Sequence, residues 1–232
     1  MTLSLDERIL LSLLKLDPQQ ADFHAISQET MLHQDVIRNN LRKLADNHLI
    51  QLKEGSVRIS PTQRLDLAIF AIKGGVDVER ICQVLGWQEF EDLVSLVLDA
   101  NGFSTQKHFR FRNREKGFEI DVLGVKKPLV FLVECKRWTR SWQRSATMKI
   151  VEKQIERTKA LINSFQELRG RLELDGWREA WFLPLILTLS ETPLKTYKKV
   201  PVIPIFYFQT FVTDEVNLSL DEITFYKVNN GR

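Results

Sequence analysis

Cysteine is nearly absent from this chain, with only Cys82 and Cys135 among 232 residues. Two thiols make no disulfide framework, and neither has zinc-ligand spacing to any of the four histidines. A reducing compartment is therefore expected, and with it a cytoplasmic location. Long hydrophobic runs are missing too. No stretch reaches the roughly 18 apolar residues of a membrane-spanning helix, so no membrane association is expected. The opening residues are acidic and polar between leucines and lack the basic start of a signal peptide. There is no internal repeat and no low-complexity segment. What remains is ordinary for a globular chain: 44% hydrophobic and 27% charged residues. That is enough for one or two domains, each with its own core.

Charge is unevenly placed. Residues 1–75 hold nine basic and nine acidic side chains, whereas residues 102–160 hold fifteen Lys or Arg against six Asp or Glu. A concentrated positive field draws polyanions, nucleic acid first among them.

Two apolar runs, 118–124 and 129–135, are separated by Gly124, Val125, two lysines and Pro128. Gly and Pro mark a turn and the β-branched and aromatic flanks mark strands, so this is a β-hairpin. Residues two apart on a strand share a face, which sets Glu134 beside Lys136. Asp121 stands within the first strand, where an unpaired carboxylate is costly and must be paired, neutralised or metal-bound. A solvated Glu134–Lys136 pair at a strand end is the plain alternative. The three together have the geometry of a hard-metal site with a lysine beside it. Asp121, Glu134 and the Cys135 backbone carbonyl suit Mg²⁺ or Mn²⁺, and Lys136 would orient a water.

Before the hairpin, residues 87–100 carry a buried helical stripe of Phe90, Leu93, Val94, Val97 and Leu98, closed by Asn101-Gly102. Glu91 lies beside that stripe. The next strand, 103–112, alternates Phe103, Thr105, Lys107, Phe109 and Phe111 with His108, Arg110 and Arg112, whose cations would line a phosphate track. After Lys136 comes a basic, aromatic loop with Arg137, Arg140, Arg144, Trp138 and Trp142, suited to backbone contact and base stacking, or to anchoring the loop. A long helix is expected over 147–168, with Met148, Val151, Ile155, Ile162 and Phe165 toward the sheet. Apolar strands are expected at 181–189 and 202–211, with prolines 184 and 204 marking edges or irregularities, and a further strand at 223–228.

Asp121, twelve residues, then Glu134-Cys135-Lys136 resembles the D…(D/E)xK signature of the PD-(D/E)xK nuclease superfamily, with Ile120 where the nominal proline stands. FEDLVSLVLDANGF, 90–103, is similar to the helix of Mrr-like members that contributes a glutamate. The resemblance implies a restriction-endonuclease-like α/β fold, a central mixed sheet flanked by helices. It also implies catalytic roles for Asp121, Glu134, Lys136 and Glu91, and a supporting role for Gln154.

The first part of the chain reads differently. Helical stripes are expected at 5–16, 27–32 and 35–47, then strands around a Gly-Ser turn at 55–56, and a helix at 62–73 ending in Gly74-Gly75. Three helices and a β-ribbon resemble a winged helix-turn-helix. Arg38, Asn39, Arg42 and Lys43 would be its reading residues, with Lys53 and Arg58 on the wing. Its neutral charge leaves DNA contact and protein contact equally open. The expected domains are 1–75 and 76–232. The expected function is a metal-dependent DNA endonuclease, acting as a homodimer because two strands take two sites. The alternative is a non-catalytic DNA-binding regulator.

Overall fold

The structure is a computed structural model that describes residues 6–16, 21–53, 56–137, 143–215 and 222–229. The chain divides into two compact units, Met1–Glu89 and Phe90–Arg232.

In the first unit, Asp6 caps α1 (Glu7–Lys15) by accepting a hydrogen bond from the Arg8 N–H. A short strand, β1 (Ala21–Asp22), leads into α2 (Phe23–Thr30). That helix starts earlier than expected because Asp22 is a ready N-cap, its Oδ1 accepting from Ala25 N at 2.6 Å. It stops at Met31 in the left-handed region, φ 56°. α3 (Gln34–Asp46) buries Ile37, Leu41 and Leu44, and exposes Arg38, Asn39, Arg42 and Lys43. β2 (Gln51–Lys53) and β3 (Ser56–Arg58) pair antiparallel, and β1 adds to β3. Lys53 and Arg58 are exposed on these strands; Gly55 in the expected turn lies outside the described residues.

Ser60 and Gln63 form a reciprocal capping box at the start of α4 (Pro61–Lys73), with Pro61 in the first turn. α5 (Val78–Val84) follows, capped by Asp77. Ile81 and Leu85 enter the same core as Ile9, Leu13, Leu41, Val57 and Leu67. This apolar sharing carries the unit past Gly74-Gly75, where sequence punctuation suggests a boundary, to Glu89. There the Glu89 carboxylate takes Arg64 Nε at 2.6 Å and Gly86 N at 2.5 Å.

The second unit is a mixed α/β domain. It follows from α6 (Trp87–Ala100), β4 (Ser104–Asn113), β5 (Lys116–Lys126) and β6 (Leu129–Lys136), then α7 (Arg144–Asn163), α8 (Phe165–Leu168) and β7 (Glu179–Thr188). β8 (Thr196–Tyr197), β9 (Val200–Pro204), α9 (Ile205–Thr210), a π-helical turn at Phe211–Glu215 and β10 (Tyr226–Asn229) complete it. The seven-stranded sheet runs β4-β5-β6-β7-β9-β8, and β10 joins the free length of β7. β6, β7 and β9 are parallel; the other pairings are antiparallel. The hydrophobic pattern predicts a sheet with flanking helices, and the central mixed sheet is consistent with the restriction-endonuclease-like fold that the resemblance implies. Among the described residues, no helix is long and apolar enough to cross a membrane.

Three expectations change. The strand expected at 202–211 ends at Pro204 and becomes α9, because its ladder partner β7 also ends there, at Thr188. The long helix begins earlier, at Arg144, and breaks at Ser164. Ser164 Oγ donates to Arg112 O and accepts from Asn113 Nδ2, tying the break to β4. The buried stripe of α7 runs through Val151, Gln154, Thr158 and Leu161; Ile155 and Ile162 are only partly buried.

Pro184 is not at an edge. Trp181 N donates to Pro128 O, so odd-numbered β7 amides face β6 and the position of Pro184 faces the other way. On that side β10 pairs up to Phe182 and β9 from Ile186, and Pro184 falls between them. The missing N–H therefore forfeits no ladder bond.

The β5–β6 turn end packs tightly on α6. A Cβ at Gly124 would lie 2.9 Å from Leu98 Cδ1, and Leu98 is fully buried. Gly124→Ala is expected to destabilise the protein by about 1–3 kcal/mol, the usual cost of overpacking. Urea unfolding of the variant against the parent measures this.

Candidate active site

The β5–β6 ladder ends at the pair Val122↔Val133. Continuing the register, the next opposed residues are Asp121 and Glu134, so both carboxylates stand where the two strands part. The parting frees the Cys135 N–H from any strand partner, and Asp121 Oδ2 accepts it at 2.8 Å. Backbone N–H and C=O of one strand residue point the same way, so the Cys135 carbonyl faces the same gap. Asp121, Glu134, Lys136 and the Cys135 carbonyl are thus brought together. The Cys135 side chain is buried, and burial, then the charges of Asp121, Glu91 and Glu134, push its thiol well above the ordinary range. It is inert packing.

Glu134 is buried and doubly paired. Its Oε1 lies 2.5 Å from Lys136 Nζ, and its Oε2 accepts from Arg157 Nη1. Arg157 also donates to Gln154 Oε1 at 3.2 Å, while Gln154 Nε2 donates to Leu132 O at 2.7 Å. Gln154 is fully buried. It therefore holds Arg157 with one end of its amide and the β6 backbone with the other. Lys153, its neighbour, is exposed.

Asp121 has the opposite electrostatics. Burial first, and the charge of Glu134 second, push its carboxyl from the ordinary 3.8 to about 6. The Cys135 N–H, Lys136 and Arg157 oppose that shift without cancelling it.

Glu91, on α6, is 1% exposed, and its Oε2 lies 3.2 Å from His108 Nε2. The other nitrogen of His108 meets Glu119 Oε1 at 3.1 Å, and Arg110 Nε donates to Glu119 at 2.8 Å. Glu119 is held below the usual carboxylate range, chiefly by Arg110. The expected phosphate track on β4 is thus altered. His108 sits at φ 52° and breaks the strand's alternation, and both His108 and Arg110 are engaged with acids. Arg112 is exposed. Arg137 is half-buried just after β6, and Arg144 is exposed at the start of α7. Arg140, Trp138 and Trp142 lie outside the described residues. Arg38, Asn39, Arg42 and Lys43 belong to the first unit and are exposed on α3.

Among the described residues, no three His, Cys, Asp or Glu side chains gather into a metal-holding group. The donor set is two carboxylates and one carbonyl, which fits a hard divalent ion that keeps several of its waters. A buried like-charged carboxylate pair is also what such an ion would relieve. To reach Glu134 fully, the ion would displace Arg157 or Lys136 from it.

Two site residues escape a motif-based reading. Arg157 was legible in principle, being three residues from Gln154 and so on the same helical face. His108 was not, because alternation assigns it to the face away from α6.

Comparison with known proteins places this geometry in context. Residues 82–164 match the family described as "Restriction endonuclease", of the Mrr catalytic type. An uncharacterized protein of Archaeoglobus fulgidus is 24% identical over 128 residues, covering 55% of this chain and 90% of that protein. Two crystal structures are similar. "Protein of Unknown Function AF1548" has a TM-score of 0.36 and 18% identity, over 57% of this chain. "Protein VC1899 from Vibrio cholerae" has 0.34 and 12%, over 95%. This chain spans 65% and 59% of their lengths.

The raised Asp121 carboxyl has a stability consequence. The unfolded chain loses this proton near the ordinary value and the folded chain near 6, so the folded state holds more protons in between. Stability falls as pH rises through that window, by about 3 kcal/mol. In the presence of EDTA, Asp121→Asn is expected to be more stable than the parent at pH 8, with the gain vanishing below about pH 4. Urea titrations at the two pH values check the sign.

Proposed function

We propose, from the match of residues 82–164 to the restriction endonuclease family, that this protein is a metal-dependent DNA endonuclease of the PD-(D/E)xK kind. The observation that carries the reading is the opposed pair Asp121 and Glu134 at the parting of β5 and β6, with Lys136 on the same strand. Asp121, Glu134 and the Cys135 carbonyl would hold Mg²⁺ or Mn²⁺. Such an ion, when bound, lowers the pKa of water and neutralises charge on a phosphate.

The chain's own residues supply the remainder. Lys136 is a compact point charge that orients the attacking water and balances charge at phosphorus. Gln154 keeps Arg157 over Glu134 and holds the β6 backbone at Leu132. Glu91 would hold a water or a second ion from the α6 side. DNA enters along the basic segment, with Arg112, Arg137, Arg140 and Arg144 at phosphates. Arg110 is charge-balanced by Glu119 and serves there less directly.

The first unit acts as a winged helix-turn-helix, presenting Arg38, Asn39, Arg42 and Lys43 to DNA or to a protein partner. Residues 1–75 and 76–232 are the working division of function. The protein works as a homodimer in the cytoplasm, one site per strand of a duplex; light scattering of the free and DNA-bound protein measures its state.

A second reading has one specific observation behind it. Glu134 already has a cation on each oxygen, as a purely structural cluster would. On that reading the domain binds DNA without cutting it. The two readings separate on a cleavage panel of linear, branched, flapped and single-stranded DNA with Mg²⁺ or Mn²⁺. Asp121→Ala and Glu134→Ala are expected to abolish cleavage and leave DNA binding intact. Lys136→Ala is expected to remove cleavage and keep metal binding. Glu91→Ala is expected to slow cleavage by roughly ten- to a hundredfold, about 1.4 kcal/mol of barrier per factor of ten. Cys135→Ser is expected to be close to neutral. A parent that cuts no DNA with either ion, or a set of variants that all cut like the parent, leaves the binding reading.

DNA affinity is also expected to fall steeply with salt, with a logarithmic slope of about −0.9 per phosphate neutralised. A flat salt response in a binding titration would place the contact outside the basic segment.

A further inference from the structure

We infer that His108 is a positioning residue for Glu91, and that the left-handed backbone at His108 exists to make that contact. The role in cleavage rests on the nuclease reading above; the contact itself does not.

Three observations converge on this residue. β4 and β5 pair from Ser104↔Val125 to Asn113↔Lys116 in constant register, and the one opposition missing from the ladder is that of His108 with Asp121. At this gap His108 has φ 52°. A residue with a Cβ pays about 1–2 kcal/mol for that conformation, and it persists where the surroundings impose it. The third observation is what the kink achieves. Adjacent residues on a regular strand face opposite sides, yet Lys107 and His108 both reach α6, at Asp92 and Glu91 respectively. Without the kink, a strand that sends Lys107 to α6 would turn residue 108 away from it.

The contacts explain what is gained. Glu91 is almost wholly buried, whereas the His108 side chain is 40% exposed. The imidazole therefore stands between a buried carboxylate and solvent. Its two nitrogens each face a carboxylate oxygen, Glu91 at 3.2 Å and Glu119 at 3.1 Å. The Nδ1 side is a hydrogen-bond contact with Glu119, whereas the Nε2 side meets Glu91 at ion-pair distance without hydrogen-bond alignment. Arg110 fixes Glu119 in turn, with Nε donating at 2.8 Å. A chain of Arg110, Glu119 and His108 thus fixes the orientation of Glu91 from outside the site.

The test separates backbone from side chain. Asn tolerates the left-handed region and is too short to span both acids; Gln has the length to reach Glu91. With Mg²⁺ and duplex DNA, His108→Asn is expected to lower kcat roughly tenfold with KM for DNA unchanged. His108→Gln is expected to recover most of the loss. Added to Glu91→Ala, His108→Asn is expected to cost nothing more, since residues acting as one unit are not additive. Parental kcat in His108→Asn, or a full multiplied loss in the double variant, overturns the inference. A readout that needs no turnover runs alongside. In ¹⁵N long-range NMR of the metal-free protein, Glu91→Gln is expected to shift the His108 Nε2 resonance and leave Nδ1 in place. An unmoved Nε2 overturns the contact even if the protein cleaves DNA. A moved Nε2 in a parent that cuts nothing upholds the positioning and removes the nuclease reading alone.

Discussion

The site depends on one parting of two strands. β5 and β6 are paired up to Val122 and Val133, and then they separate. Separation has a price in backbone terms, since it strips the Cys135 N–H of a ladder partner inside a buried region. Asp121 meets that need with its own carboxylate at 2.8 Å. The same act draws Asp121 toward Glu134, and two carboxylates close together in a dry setting repel. The structure answers unevenly. Glu134 receives both Lys136 and Arg157, while Asp121 is left with a carboxyl raised to about 6. A buried pair of this kind adds little stability of its own, because desolvation offsets much of the Coulomb gain. What it establishes is a charge arrangement that one further cation would complete.

α7 is shaped by that arrangement. Its buried stripe contains Gln154 and Thr158, polar residues that an amphipathic helix would ordinarily place toward water. Each is satisfied locally. Gln154 bonds Leu132 O and Arg157, and Thr158 Oγ1 donates to Gln154 O at 2.8 Å. The helix therefore delivers a guanidinium to Glu134 on β6 past buried polar groups that are each hydrogen-bonded, which is the condition for holding them there at low cost.

Much of this was legible in the residues, and the reasons it was or was not are physical. α6 coincides with the expected 87–100, since its apolar stripe and the Asn101-Gly102 stop agree. The hairpin bearing Asp121, Glu134 and Lys136 was equally clear, because Gly and Pro punctuate β-branched runs. The misses have different causes, some long-range and some local. β9 gives way to α9 because its neighbour in the sheet ends, a fact that the apolar run 202–211 cannot reveal. α2 begins at Phe23 because Asp22 caps it, an event masked by the strong pattern further on. The face of His108 follows from a single backbone torsion, which alternation assumes away. Arg157 shares a helical face with Gln154, which the spacing shows, but its place at Glu134 follows from α7 lying against β6, a tertiary fact.

The position of Pro184 bears on how two strands of separate origin share one side of β7. β10 lies along the first half of that side and β9 along the second. The junction between them is buried, with Leu183, Pro184 and Leu185 all enclosed. An amide N–H at the junction would have neither a strand nor water as its partner, and an orphaned buried donor is costly. Proline has no donor to orphan. β7 therefore stays continuous while its neighbour changes, and the hand-over leaves no N–H unmet.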